Sequence, residues 1–187
     1  MRPWPKQVLF IQGGGEGAHA IDSDLAASLA RRLGGKYEVR YPFMPNEAAP
    51  EYIDWRATIL EELRALDDEA FVVAHSIGGA VVVRLLAEAG PPKPLAGLFL
   101  VATPYIGVGG WVIGGFETPA DLEARIPQAL AIYLYHGTSD ETVPFGHLDL
   151  YARVLPRAHP RCLRDRNHQL NGDLSEVVQD MRAIPVS

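Results

Sequence analysis

Ser76 lies in Ala74-His75-Ser76-Ile77-Gly78-Gly79, with small residues two places before it and two places after it. The segment follows the apolar run Phe71 to Ala74 and opens a helix-forming stretch, which puts the serine at the apex of a sharp strand-to-helix turn. Larger side chains at the flanking positions would collide with neighbouring backbone, and Ala74 in place of the usual glycine adds one methyl. A serine in this place can also serve as an N-cap and nothing more. As a nucleophile it needs a histidine to remove its proton, and a carboxylate to orient that histidine and stabilise the imidazolium. Asp140 follows the run Ala131 to Tyr135, and His168, in Arg166-Asn167-His168-Gln169-Leu170, follows the last β-like run. The chain order Ser76, Asp140, His168, each just after a strand, predicts a triad for acyl transfer.

Such a triad also needs donors aimed at the developing oxyanion, one from the residue after the serine and one from the loop after the first strand. Those are the amides of Ile77 and Gly14, in a Gly13-Gly14-Gly15 loop that lets backbone approach substrate without Cβ interference. The same loop matches a loose dinucleotide fingerprint, Gly13-x-Gly15-x-x-Ala18. That use calls for an acid closing the second strand, where this chain has Arg40-Tyr41-Pro42-Phe43.

The remaining candidates are weighed in the same way. His159 precedes the last strand, His147 falls in a helix and His75 adjoins the serine, so all three read as structural. His19, behind the glycine loop, is a candidate to line the substrate pocket, against a capping or surface role. Glu117 and Asp121 are reserve acids, His136 is expected to shape the Asp140 loop and Glu141 to face solvent. Cys162 reads as a small core residue. No spacing of His, Cys, Asp and Glu suggests zinc, the serine chemistry requires none, and no cofactor is expected.

These loops require strands and helices in alternation. Val8 to Ile11, Tyr37 to Tyr41, Phe71 to Ala74, Leu95 to Val101, Ala131 to Tyr135 and Cys162 to Arg164 read as strands. Between them Ile21, Leu25, Leu29 and Leu33, then Tyr52, Trp55, Ile59, Leu63 and Leu66, then Ile77 to Ala89, keep helical spacing. Leu174, Val177, Val178, Met181 and Ile184 mark a last helix, with Asp173 and Glu176 at capping-box spacing. The alternation predicts an α/β fold, a three-layer α/β/α sandwich around a parallel sheet of about six strands. Residues 103–128, with five glycines and Tyr105, Ile106, Trp111, Ile113 and Phe116, break the rhythm. This stretch is either a small lid over the site or a surface excursion packed on a helix.

At 187 residues without repeats, the chain fits a single globular domain, 1–187. A formal charge of −6 without a Lys/Arg cluster argues against nucleic acid, and no apolar run reaches the roughly 20 residues of a membrane span. Cys162 has no intramolecular partner, and Met1 to Ile11 lacks the pattern of a leader, which together point to the cytoplasm.

Gln12-Gly13-Gly14, the Ala74–Gly79 turn, Asp140 and His168 together resemble the α/β-hydrolase superfamily, in the compact single-domain branch related to retinoblastoma-binding protein 9 and YdeN. The resemblance implies six parallel strands in order 2-1-3-4-5-6 without a large cap, and serine-hydrolase activity on esters or amides. Some relatives act mainly through binding partners, and a protein partner for this chain is not legible. The expected substrate is a small-molecule carboxylic ester with a small or medium acyl group, held by Trp111 and Phe116. Thioester, amide or peptide hydrolysis would use the same residues, and a weakly catalytic binding module would keep the same fold.

Overall fold

The structure, a computed structural model, describes residues 5–185; Met1 to Trp4, part of the segment read above for a leader, lie outside the described residues. Six strands, β1 (Lys6–Ile11), β2 (Tyr37–Arg40), β3 (Ala70–His75), β4 (Leu95–Val101), β5 (Ala131–Gly137) and β6 (His159–Leu163), form one sheet in the order 2-1-3-4-5-6. Every pairing is parallel. Its helices are α1 (Ala18–Leu33), α2 (Tyr52–Ala65), α3 (Ser76–Ala89), the short α4 (Leu122–Arg125), α5 (His147–Val154) and α6 (Ser175–Ala183), with a 3-10 turn at Leu170–Gly172.

The continuous apolar runs of the central strands follow from burial on both faces. Leu9 and Ile11 of β1, with Val72 and Ala74 of β3, pack towards α2 and α3. The alternate residues Val8, Phe10, Phe71 and Val73 pack towards α1 and α6. Parallel register then brings all the carboxyl ends to one edge: Ile11 pairs with Ala74, His75 with Val101, Val101 with Tyr135 and Gly137 with Leu163. The loops after β1, β3, β5 and β6 therefore meet above a common rim, where ligands of open parallel sheets bind.

Four sequence expectations change. The last strand spans His159–Leu163 rather than 162–164, and on this edge strand Cys162 is exposed, not a core residue. Ile21 is 56% exposed, because the inner face of α1 runs through Ala18, Asp22, Leu25 and Leu29, one residue out of phase with it. The Asp173–Glu176 capping box does not close. Asp173 accepts from the Ser175 amide at 3.0 Å, whereas Glu176 accepts from Arg166 at 3.2 Å.

Residues 103–128 fold back on themselves through a bridge between Ile106 and Trp111 and a bond from the Thr118 amide to the Ile106 carbonyl, 2.8 Å. Tyr105, Ile106, Phe116 and Leu122 are buried in the same core as α2 and α3.

Candidate active site

Ser76 stands where β3 turns directly into α3. Its φ of 51° is in the left-handed region that a side chain adopts only at a cost, the strain of a turn that aims a side chain out of the fold. The turn is tight on its inner side too. A Cβ on Gly78 would run into the Gln12 carbonyl, and one on Gly79 into the Thr103 side chain, so these two glycines let α3 start close against the ends of β1 and β4. Ser76 is buried but for 8% of its surface.

From the loop after β6, His168 brings Nε2 to 3.1 Å from Ser76 Oγ. From the turn after β5, Asp140 sets both carboxylate oxygens on His168 Nδ1, at 3.0 and 2.9 Å. A carboxylate only accepts, so Nδ1 carries the proton and Nε2 turns its lone pair to the serine hydroxyl. The Asp140 side chain is 0% exposed and is itself held from several directions. Oδ1 accepts from the Thr142 and Val143 amides, each at 2.8 Å, and Oδ2 lies 3.2 Å from His136 Nε2. Burial alone would raise its pKa, but the bonds from His136, His168 and the Val143 amide outweigh this and hold the carboxyl well below the usual carboxylate range. His136 thus shapes the Asp140 loop, as its sequence position suggested. Glu141 is exposed, and its carboxylate accepts from the His168 amide at 3.3 Å.

The glycine loop faces this chain of bonds. The Gly13 amide donates to Asp22 Oδ2 at 2.6 Å and the Gly15 amide to the Glu47 carbonyl at 2.6 Å, so both flanking amides are committed. A methyl on Gly14 would fall 2.7 Å from Ile77 Cγ2 and 2.6 Å from Pro50 Cγ, which places Gly14 against the first turn of α3, whose leading amides have no acceptor within the helix.

The other singled-out residues are dispersed. His19 stacks on Tyr41 with ring centroids 4.3 Å apart, and Trp111 meets His147 edge-on at 5.6 Å. Phe116 packs against Tyr52 and lines a trough of about 530 Å³ with Pro50, Ile53, Arg84 and Gly115. Neither His19 nor Trp111 lines that trough. Glu117 and Asp121 are spent on Arg84 and Arg125 at the surface. His147 accepts from the Tyr105 amide through Nδ1 at 2.8 Å, and burial keeps its pKa below the ordinary imidazole value. Among the described residues no group of three or more His, Cys, Asp or Glu side chains could hold a metal ion.

Two carboxylates escaped the sequence reading. Glu47, from the loop before α2, accepts from Gln12 Nε2 at 2.8 Å and from the Gly17 and His19 amides at 3.1 and 2.7 Å. It caps the start of α1 from outside the helix and ties the glycine loop to the 42–50 loop. Asp22 is buried on α1 beneath the site, where its only sequence signal was an acid in phase with Ala18, Leu25 and Leu29.

A model of the serine hydrolase family matches residues 26–154, well over half of the chain. The chain belongs to the serine hydrolase family. The matched span contains Ser76 and Asp140, while the glycine loop and His168 lie outside it. This serine hydrolase is similar in structure to the ydeN gene product of B. subtilis, with a TM-score of 0.74 and 20% identity over 95% of this chain and 97% of that one. It is also similar to the esterase RhEst1 from Rhodococcus sp. ECU1013, with a TM-score of 0.74 and 14% identity over 97% of this chain and 92% of that one. At such identities the likeness is one of fold, a compact α/β hydrolase. No curated protein sequence gives a significant match. No helix among the described residues is long and apolar enough to cross a membrane.

Proposed function

We propose that this serine hydrolase cleaves small-molecule carboxylic esters with small or medium acyl groups, through an acyl-enzyme on Ser76. The observation that carries the reading is the unbroken chain from Ser76 Oγ through the His168 ring to both oxygens of Asp140. Ser76 Oγ attacks the ester carbonyl carbon while its proton passes to His168 Nε2. The carbonyl oxygen becomes an oxyanion held by the Gly14 and Ile77 amides, and Asp140 stabilises the imidazolium. Collapse breaks the bond to the alkoxy group, which leaves as the alcohol with the proton from Nε2. Water then repeats the sequence on the acyl-enzyme, giving the carboxylic acid and restoring Ser76.

Small esters suit a chain in which the 103–128 excursion is short and largely packed into the core. In this reading that segment acts as a small apolar lid, and Phe116 and Trp111 reach the acyl group when it moves from the packed position in which they meet Tyr52 and His147. The esterase activity in the name of one structural neighbour points the same way.

Labelling with a fluorophosphonate probe, wild type against Ser76→Ala, followed by peptide mapping, tests the nucleophile. Modification at Ser76 alone is expected, and a panel of ester, thioester and amide substrates then ranks leaving groups. Unchanged ester hydrolysis by Ser76→Ala would sink the assignment.

A further inference from the structure

A second acid–imidazole pair lies directly behind the Ser76–His168–Asp140 chain and takes no part in the steps above. Asp22 and His75 are each 1% exposed. His75 Nδ1 is 2.7 Å from Asp22 Oδ2, and its Nε2 is 3.1 Å from the main-chain oxygen of His168. Both partners are acceptors only. A neutral imidazole has one N–H and would turn a bare lone pair to one of these oxygens, whereas an imidazolium satisfies both. Asp22 reaches further, since its Oδ2 also takes the Gly13 amide and its Oδ1 accepts from Gln169 Nε2 at 3.0 Å. One carboxylate therefore touches the oxyanion loop, the residue before the nucleophile and the residue after the base.

We propose that Asp22 and His75 are a permanent buried ion pair, with both His75 nitrogens protonated, which fixes the main chain of His168 and turns a positive charge towards its ring. The inference rests on His168 being the base of the proposed reaction, and it makes Asp22 and His75 positioning residues. The two rings are 4.7 Å apart, so the charge on His75 opposes a second charge on His168 and keeps the base ready to accept the serine proton.

The surroundings of both rings bear on this balance. Burial disfavours charge on His75, but Asp22 from α1, the His168 carbonyl from the loop after β6 and Asp140 from the turn after β5 outweigh it and raise its pKa. Burial would likewise raise the Asp22 pKa, but His75, the Gly13 amide and Gln169 hold it below the usual range. Around the His168 ring, Asp140 favours the imidazolium formed during turnover and His75 opposes it, with the Ser76 hydroxyl between reaction partners. Glu141 accepts from the His168 amide rather than from its ring.

Proton-detected NMR of the imidazole nitrogens, on protein carrying nitrogen-15 histidine, reads the pair without recourse to activity. In wild type one histidine, assigned to His75 by its loss in His75→Gln, is expected to carry two ring protons throughout the neutral range. A single ring proton on His75 at neutral pH overturns the ion pair. In His75→Gln the Asp22 carboxylate keeps its bonds to Gly13 and Gln169 but loses its cation, so the His168 ring titration and the acid limb of kcat/KM should both move up by about one pH unit. A drop in kcat at every pH with neither moved would reduce the pair to scaffolding and overturn its action on the base. Should the glutamine variant not fold, Asp22→Asn, in which His75 gives up one proton, replaces it and should move both in the same direction by less. A doubly protonated His75 in protein that the fluorophosphonate does not label at Ser76 would refute the hydrolase reading and leave the ion pair standing.

Discussion

Asp140 grips His168 with both carboxylate oxygens on a single ring nitrogen, and the oxygen on the Thr142 and Val143 side cannot be replaced by a donor without setting N–H against N–H. An asparagine at 140 must therefore keep its oxygen on those two amides and turn its NH2 to the histidine. His168 then receives a donor at Nδ1 and moves its own proton to Nε2, facing Ser76 in the wrong tautomer. Asp140→Asn is expected to lower kcat by about 10⁴-fold with the fold retained. Steady-state kinetics beside circular dichroism check this, and a loss under tenfold would count against Asp140 as the orienting acid.

The Asp140 carboxyl also sets the shape of the pH profile. Its folded pKa is depressed, so its contribution to stability is complete above the ordinary aspartate value of about 4 and fades only as the pH falls through the lower folded value. Between about pH 5 and 8 the carboxylate stays ionised, so loss of rate on the acid side comes from protonation of the imidazole base. A single acid limb in kcat/KM is expected in wild type. A rate flat from about pH 5 to 9, with chemistry limiting, would contradict a histidine base.

The tight start of α3 predicts a sharp packing cost. In Gly79→Ala the new methyl meets the Thr103 side chain, and the variant should lose about 1–3 kcal/mol in urea unfolding. Trimming the obstruction in Gly79→Ala/Thr103→Ala should recover part of that loss. No recovery in the double variant would mean that the crossing is not set by this contact.

Phe116 is buried, so truncation to alanine would cost stability and confound any effect on substrate. Phe116→Leu keeps most of the volume. If the 103–128 segment is a lid, this variant and Trp111→Leu should shift acyl-chain preference several-fold while Tm changes little. Equal losses for every chain length would argue against a lid.

The fold was legible because buried parallel strands are short, unbroken apolar runs, and because register puts their following loops on one rim. Phe71 to Ala74 and Leu95 to Val101 needed nothing more than that pattern to be placed. Ser76, Asp140 and His168 could be picked out for the same reason, since each sits immediately past such a run. Local pattern failed where tertiary phase decides. Ile21 kept the four-residue spacing of Leu25 and Leu29, yet the helix turns Asp22 inward, because Gly13, His75 and Gln169 supply three donors to a carboxylate there. Cys162 read as core because it sits in a strand-like run, but that run, β6, is an edge strand and leaves it exposed. Glu47 was hidden in a proline-rich loop, and nothing in its neighbourhood along the chain reveals that it serves α1.

That single neighbour of β6 matters for how the protein fails under stress. His168 hangs from an edge strand of the sheet, while Ser76 rises from the middle of it. Fraying is easiest where backbone bonds exist on one side alone, so warming should detach the base locally before the central strands melt. Hydrolysis would then vanish several degrees below the loss of helical signal, and cooling would restore it without refolding.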